Sequence, residues 1–229
     1  MTATVPATEF PLNSCNSSEI GNTRGSMFPF DVVLFDVGGV LLTNGWDRRE
    51  RSLAADRFEL DLAALELRHL TVVEAWERGD ITADAYLDAT VFNQPRTFSR
   101  EDFFSFILSQ SQLLPGGAMG ILAELAASKR CMVGALNNEA RETNDYRFER
   151  FGLRKHFQVA FSSCYIGLRK PSLAIYRRAL DVLGTPPERV LFIDDRPENA
   201  AGAADAGMKA IVFKGENALR TELAALGAL

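Results

Sequence analysis

The 229-residue sequence contains few cysteines, no cluster of positive charge and no long apolar run. Its three cysteines, Cys15, Cys131 and Cys164, are an odd number without metal-ligand spacing, which favours buried thiols and a reducing cytoplasm. A net charge of −5 argues against a nucleic-acid partner, because neutralising phosphates requires concentrated Lys and Arg. No apolar run approaches the roughly 18 residues of a membrane-spanning helix, so no membrane-spanning segment is expected.

The first 27 residues also lack any periodic pattern. Met1 to Arg24 mix Thr, Asn, Ser and Pro, without the basic start and apolar segment of a signal peptide. We therefore expect residues 1–27 to form a disordered N-terminal extension.

Beyond this segment, strand-like and helix-like periodicities alternate. Five short apolar runs are typical of buried parallel strands: VVLF, CMVGAL, the segment near Val159 to Phe161, RVLFIDD and KAIVF. Helical segments separate them, which predicts an α/β fold with a doubly wound parallel sheet, a Rossmann-like core. We assign residues 28–46 and 113–229 to this core and residues 47–112 to a small helical cap inserted after the first strand.

The predicted cap has helical spacing of its apolar residues and no convincing strand. A glycine at Gly79 and an N-cap at Thr82 separate two of its helices. Four phenylalanines, Phe98, Phe103, Phe104 and Phe106, are expected to form an aromatic core or a lid contact.

Polar residues stand where three of the predicted strands end, and a lysine stands just before a helix. They are Asp36, Asn137, Asn138, Lys170, Asp194 and Asp195. Singly, Asp36 is equally consistent with a turn cap, and Lys170 with a solvated surface residue. Because parallel strands end at the same edge of a sheet, the groups together predict one crevice. The helix N-terminus after Lys170 favours an anion, and phosphate is the natural candidate.

In order and spacing, these residues resemble the four motifs of the haloacid dehalogenase-like hydrolase superfamily, most of whose members are magnesium-dependent phosphatases. The first motif matches DVGGV at Asp36, the second Asn137 and Asn138, the third Lys170, and the fourth the pair of acids that ends FIDD. The resemblance extends from Phe30 to Val212. WERGDIT, GLRKP and FIDD are also similar to a branch of bacterial sugar-phosphate phosphatases.

The resemblance implies a reaction at Asp36. Asp36 would attack phosphorus and form an aspartyl-phosphate intermediate that water cleaves, while Lys170 neutralises charge on the phosphoryl oxygens. Asn137 would donate a hydrogen bond to a phosphoryl oxygen. Asn138, Lys170 and Gly39 are the expected substrate-binding residues.

The resemblance also implies Mg²⁺ as the cofactor. Its ligands would be the carboxylates of Asp36 and Asp194 and the backbone carbonyl of Gly38. Asp195 completes the predicted metal site, orienting the direct ligands or a metal-bound water.

The sequence departs from the family pattern in two motifs. Gly38 replaces the second Asp of the first motif, the general acid and base of the phosphatases, and Asn137 replaces a Ser or Thr. A positioned acid or base contributes about 10²- to 10⁴-fold, so turnover without a substitute would be slow. Asp47 and a metal-bound water are the candidate substitutes, although Asp47 is also a natural helix N-cap.

Two alternatives therefore remain open beside phosphatase activity. One is a catalytically silent protein that binds a phosphorylated metabolite. The other is a 2-haloacid dehalogenase, which also uses an Asp nucleophile but needs no magnesium; the acidic pair that ends FIDD favours the metal-dependent enzyme.

The cap is expected to contact the leaving group of a small phosphorylated metabolite, in a monomer or homodimer. Trp76, Arg48, Arg49, His69 and Tyr86 are the candidates to face it. Each is also a natural packed or solvated helix residue, and His69, on an apolar stripe, is expected to be structural.

Overall fold

Five parallel strands form one sheet in the computed structural model, which describes residues 28–229. The strands are β1 (Val32–Phe35), β2 (Met132–Asn137), β3 (Val159–Ser162), β4 (Val190–Asp194) and β5 (Lys209–Val212). Their order is β3-β2-β1-β4-β5, and every neighbouring pair is parallel. The predicted doubly wound α/β fold is confirmed. The predictions for residues 1–27 and Cys15 lie outside the described residues.

Strand β1 is central and buried on both faces, which explains its uninterrupted apolar sequence. Val33 and Phe35 point to one apolar layer, and Val32 and Leu34 to the other. The edge strands β3 and β5 carry exposed or half-buried residues at their beginnings. The carboxyl end of β1 therefore lies in the middle of the sheet edge, where ligands bind in open α/β folds.

Helices after Ala118 cover both faces of this sheet. They are α5 (Met119–Ser128), α6 (Arg141–Arg150), α7 (Ser163–Ile166), α8 (Leu173–Leu183), α9 (Pro197–Asp205) and α10 (Glu216–Ala225). Ile121 of α5 and Leu219 of α10 belong to one apolar layer, and Ile175 of α8 to the other. No helix within residues 28–229 is both long and apolar enough to cross a membrane.

Four helices lie between β1 and α5, and we call them the cap. They are α1 (Arg48–Phe58), α2 (Leu62–Glu77), α3 (Ala83–Thr90) and α4 (Arg100–Ser109). Local capping defines their starts: Asp61, Thr82 and Ser99 accept hydrogen bonds from backbone N–H groups inside the first turns of α2, α3 and α4. The Thr82 cap is the one that the sequence predicted.

Aromatic side chains fill the interior of the cap. Phe103 is fully buried, and its ring centroid lies 4.9 Å from that of Phe58 and 5.8 Å from that of Phe98. Trp76 stacks on Tyr86 with 3.9 Å between ring centroids. Aromatic pairs at these separations stabilise the cap beyond the contribution of the apolar area that they bury.

Two short linkers join the cap to the core, and side chains of the core contact the cap. Thr43 in the first linker bonds both Gln110 and Gln112 of the second. The buried Arg147 of α6 donates to the carbonyl of Thr43. Arg169, just before Lys170, pairs with Glu74 and Glu77 at the end of α2.

Candidate active site

The neighbouring strands β1 and β4 bring two carboxylates to one lysine. Asp36 follows β1 and Asp194 ends β4. Lys170 Nζ lies 2.9 Å from Asp36 Oδ1 and 2.6 Å from Asp194 Oδ2. The three residues are only 8% (Asp36), 3% (Lys170) and 0% (Asp194) exposed. Three predicted site residues thus meet at hydrogen-bonding distance in a buried position.

Backbone and amide donors fix the two carboxylates. Val37 N donates to Asp36 Oδ1 at 2.8 Å. Arg196 N, at the start of α9, donates to Asp194 Oδ1 at 2.8 Å, and Asn199 Nδ2 donates to both Asp194 oxygens at 3.0 and 3.1 Å. Asn199 was not predicted. A small-residue helix sequence gives no signal that one of its amides serves the preceding strand end.

Burial and charge repulsion shape the protonation of this site. Burial raises the pKa of Asp36 to about 7; Lys170 opposes the shift and Asp194 adds to it. The pKa of Asp195 is also raised, chiefly by burial and then by Asp194. For Lys170, burial lowers the pKa, but the neighbouring carboxylates outweigh it and the net pKa is raised. The lysine is therefore charged, and the positive charge of Arg196 also acts on Asp195.

The acidic cluster fits a divalent cation. Asp36, Asp194 and Asp195 each offer one oxygen within 4.8 Å of the others. Asp195 Oδ1 is buried and has no hydrogen-bond partner within the described part of the chain. No hydrogen bond reaches the Gly38 carbonyl oxygen within residues 28–229. Hard oxygen donors and uncompensated negative charge are what Mg²⁺ requires.

Gly39 makes room for this cluster. Its φ of +70° lies in the left-handed region, and a Cβ placed there would lie 2.1 Å from Asp195 Oδ2. A side chain at this position would therefore be strained and would displace Asp195. Gly39 lies against Asp195, and its role in substrate binding stays a prediction.

Asn138 holds Lys170 in place. Asn138 Nδ2 donates to the Lys170 carbonyl and Lys170 N donates to Asn138 Oδ1, both at 2.9 Å. This reciprocal pair engages both ends of the amide. Asn138 also lines the cavity beside Asp36, and its role in substrate binding stays a prediction. Its observed contacts make it a positioning residue for the lysine.

Asn137 also has contacts other than those predicted. It is 2% exposed, donates to Asn144 Oδ1 at 3.0 Å and accepts from Ser162 Oγ at 2.9 Å. Asn138, and not Asn137, lines the neighbouring cavity. Since the second motif comes at a strand end, adjacent residues face different surroundings, and the sequence did not show which one faces the cavity.

Asn44 and Arg147 surround the position where the family pattern has its second acid. A Cβ on Gly38 would lie 2.9 Å from Asn44 Oδ1 and 3.8 Å from Arg147 Nη1. Arg147 in turn pairs with Glu139. This chain therefore places an amide and a cation where the family pattern has a carboxylate.

Asp47, the candidate substitute acid, stands at the N-cap position of α1 but does not cap it with its side chain. Its carboxylate instead accepts from Arg196 Nη2 at 3.2 and 3.4 Å. Asp47 lines the same cavity as Asp36. Its position at the linker between core and cap suits a side chain that acts on the leaving group of a phosphate ester.

A cavity of about 360 Å³ lies between this cluster and the cap. From the core it is lined by Asp36 and Lys170, and from the cap by Arg51, His69 and Trp76. The volume is at the low end for ligand pockets, which suits a small metabolite.

Two of the candidates to face the leaving group do not line the cavity. Arg48 and Arg49 are exposed and do not line it; the side chain of Arg49 is 82% exposed. Within the cap helices, Arg51 is the arginine that lines it, and it donates to Glu66 through Nε at 2.6 Å and Nη2 at 3.1 Å. The first turn of α1 is rich in charged residues, and its sequence did not show which arginine turns inward.

His69 is buried, as expected of a structural histidine, and also lines the cavity. Its Nδ1 lies 2.8 Å from the hydroxyl of Tyr86. Burial, and then the charge of Arg51, lower its pKa to about 4. Tyr86, a candidate to face the leaving group or to pack within the cap, is fully buried behind His69 and Trp76.

Similar proteins align with most of this chain. The chain is 29% identical over 225 residues to flavin mononucleotide hydrolase 1 of Arabidopsis thaliana, covering 94% of this chain and 84% of that protein. It is 26% identical over 212 residues to bifunctional epoxide hydrolase 2 of Sus scrofa, covering 84% of this chain. The chain spans 38% of the length of the porcine protein.

Solved structures agree on the fold. The HAD family enzyme bt-2542 of Bacteroides thetaiotaomicron, solved in complex with magnesium and inorganic phosphate, superposes with a TM-score of 0.65 at 18% identity, covering 81% of this chain and 95% of that one. The L-2-haloacid dehalogenase of Xanthobacter autotrophicus gives 0.56 at 20% identity, covering 86% of this chain and 83% of that one. The model of the haloacid dehalogenase-like hydrolases matches residues 30–207, and the chain belongs to this family.

Proposed function

We propose that the chain is a Mg²⁺-dependent phosphatase of small phosphate monoesters that works through an aspartyl-phosphate on Asp36. The observation that carries this proposal is the contact of Lys170 with both Asp36 and Asp194 beside the cavity. A nucleophile, a fixed cation and spare carboxylate oxygens are the groups that phosphoryl transfer requires.

The geometry suggests which oxygen of Asp36 attacks. Oδ1 already accepts from Val37 N and contacts Lys170, so Oδ2 is the oxygen directed at phosphorus. As the new O–P bond forms, the P–O bond to the leaving group breaks and the departing oxygen takes a proton. Lys170 balances charge on the phosphoryl oxygens during this step. Water then cleaves the aspartyl-phosphate, which restores the carboxylate and releases inorganic phosphate.

Asp36, Asp194, Asp195 and the Gly38 carbonyl are the residues that would hold Mg²⁺. When bound, the ion supplies positive charge that favours the ionised form of Asp36 and offsets the charge of the phosphate. The raised pKa of Asp36 indicates why the nucleophile needs this help, since only the carboxylate attacks.

We further propose a division of labour between two parts of the chain. Residues 28–46 and 113–229 form the hydrolase core that reacts with the phosphate, and residues 47–112 form the cap that selects the leaving group. Asp47, at their junction, is the proposed donor of the proton to the leaving oxygen.

The names of relatives support a phosphatase. Besides the flavin mononucleotide hydrolase, a glyceraldehyde 3-phosphate phosphatase of Methanothermobacter thermautotrophicus is 30% identical over 90 residues, covering 39% of this chain and 40% of that protein. The phosphate and magnesium in bt-2542 fit the same chemistry.

A silent phosphometabolite-binding protein is the second candidate. The observation that favours it is Gly38, whose missing carboxylate leaves Arg147 and Asn44 at the expected position of the acid. Such a protein would retain the cavity and its cations and would lack turnover.

The test is phosphate release from a panel of small phosphate esters, with Mg²⁺ or with a chelator. We expect release only with Mg²⁺, and we expect Asp36→Asn to reduce kcat by several orders of magnitude because the amide is not a nucleophile. Asp31→Asn is the matched control, because Asp31 is an exposed residue paired with Arg189 at the opposite end of β1.

Three outcomes are separable. Unchanged turnover in Asp36→Asn contradicts the assignment of the nucleophile. Mg²⁺-dependent ester binding without release supports the silent candidate. Chelator-insensitive halide release from 2-chloropropionate would replace both by a dehalogenase.

A further inference from the structure

One face of α2 forms the cap side of the cavity. His69, Val73 and Trp76 are spaced i, i+4 and i+7, so they share this face, and all three line the cavity. The second tryptophan of the chain, Trp46, lines it from the linker. The leaving group of a ligand held at Asp36 would meet this wall.

A chain of hydrogen bonds fixes the tautomer of His69. Trp46 Nε1 donates to the Tyr86 hydroxyl at 2.8 Å, and the same hydroxyl lies 2.8 Å from His69 Nδ1. An indole nitrogen can only donate, and the hydroxyl of the fully buried Tyr86 has no hydrogen bond to any other acceptor among the described residues, so we assign its proton to the bond with His69. Nδ1 is therefore an acceptor, and the ring proton resides on Nε2.

His69 is uncharged in this setting, because burial and the nearby Arg51 lower its pKa to about 4. Its Nε2 forms no hydrogen bond with the described residues and is not among the buried unpartnered atoms. It therefore retains accessible surface, and His69 lines the cavity. The ring presents a neutral N–H donor there.

His69 Nε2–H is the accessible donor of this face. Trp76 Nε1 also has no hydrogen-bond partner within residues 28–229, but it is buried away from the cavity. The carboxylates of Glu66 and Glu77 are paired with Arg51 and with Arg169. A ligand group that presents only donors to His69 would leave its N–H unsatisfied, which costs free energy.

We propose that His69 is a specificity-determining residue that donates its Nε2–H to an acceptor oxygen, a carboxylate or carbonyl, on the leaving group of a small phosphate ester. This inference rests on the proposed function, since the ligand is the substrate of that reaction. The cavity of about 360 Å³ limits the ester to a small metabolite.

Four three-carbon esters of similar size test the inference: 3-phosphoglycerate (carboxylate), glyceraldehyde 3-phosphate (carbonyl), glycerol 3-phosphate (hydroxyl) and propyl phosphate (no remote oxygen). We expect the first two to be preferred over propyl phosphate by roughly tenfold in kcat/KM and in Kd, as one buried hydrogen bond provides. Binding is read from tryptophan fluorescence with Mg²⁺ present, because both tryptophans line the cavity.

Substitutions at His69 test whether this residue causes the preference. In His69→Leu the preference should fall to near unity, whereas His69→Gln, whose amide nitrogen can take the place of Nε2, should retain most of it. Tyr86→Phe removes the hydroxyl that fixes the tautomer and should lower the preference severalfold. His156→Leu is the control, because the other histidine lies outside the cavity and should leave the preference unaltered.

Circular dichroism and thermal melting verify that each variant is folded, and Tyr86→Phe against His69→Gln keeps the test decisive if His69→Leu does not fold. The inference is overturned if the wild type shows no preference, or if folded variants that lack the donor keep it. Ester binding with this preference but without Asp36-dependent phosphate release would contradict the proposed turnover alone. Phosphate release without the preference would contradict the role of His69 alone.

Discussion

The core and cap sides of the cavity differ in the kind of group that they present. The core side carries buried charges in contact, Asp36, Lys170 and Asp194. On the cap side the neutral His69 and the ring of Trp76 line the cavity, and the charge of Arg51 is paired with Glu66. Charges suit a reaction that moves a phosphoryl group, and a neutral donor suits the selection of a leaving group. Residues on these two sides, the two walls of the cavity, can therefore be substituted separately.

Among tests of this difference, the largest expected effect on kcat comes from substituting Asp47, which lies where the core and cap sides of the cavity meet. If Asp47 protonates the leaving oxygen, Asp47→Asn should lower kcat for alkyl phosphates by about 10²- to 10⁴-fold. It should affect p-nitrophenyl phosphate far less, because p-nitrophenolate leaves without a proton. Steady-state kinetics on both esters measure the difference.

Asp56→Asn is the control for this substitution, since Asp56 is an exposed residue of α1 outside the cavity. An equal loss on both esters in Asp47→Asn would show that Asp47 acts through Arg196 on the site and transfers no proton.

Lys170→Met provides the next largest effect and tests the charged wall. The substitution leaves Asp36 and Asp194 buried without their cation, so we expect the free energy of unfolding to fall by about 3–5 kcal/mol in chelator. Urea denaturation measures it, and the exposed Lys214→Met is the control. A loss below about 1 kcal/mol would show that the charges are not coupled as the distances indicate.

The pH dependence of stability provides a smaller effect and tests the neutral wall. The pKa of His69 is about 4 in the folded chain against an ordinary 6.5. Between these values the unfolded chain binds a proton that the folded chain does not. The contribution of His69 is therefore present above pH 6.5 and lost as pH falls towards 4, by about 2–3 kcal/mol.

The measurement compares urea denaturation of the wild type and His69→Gln across pH 4–7, so that carboxylates common to both cancel. The stability difference should shift against the wild type as pH falls. His156→Gln should shift less, because His156 is less buried than His69. Parallel pH profiles for wild type and His69→Gln would mean that the imidazole is not held neutral.

The difference between the core and cap sides of the cavity also explains which site residues could be predicted from the sequence. Parallel strands end at the same edge of a sheet, so the sequence alone could place Asp36 and Asp194 together. Lys170, just before a helix, was expected at the same edge. The doubly wound sheet followed from the alternation of periodicities, and the structure confirms it. Which strand-end amide faces the cavity depends on local backbone direction, and Asn137 instead bonds Asn144 and Ser162.

The cap wall could not be predicted in the same way. A helix face that lines a cavity has the same apolar periodicity as one that packs in a core, so His69 and Trp76 were not distinguished from Tyr86. Arg51 turns inward while Arg48 and Arg49 stay in solvent, because only Arg51 has Glu66 as a partner. This ion pair joins α1 to α2, and neither sequence segment alone indicates it.

Arg169 joins the two walls through the chain itself. It pairs with Glu74 and Glu77 of the cap, and its next residue is Lys170. A hybrid protein that receives a foreign cap without these two acids would lose the anchor beside its phosphate-binding lysine. Exchange of caps between relatives therefore has to transfer the end of α2 together with the segment that carries Arg169, as one interchangeable unit.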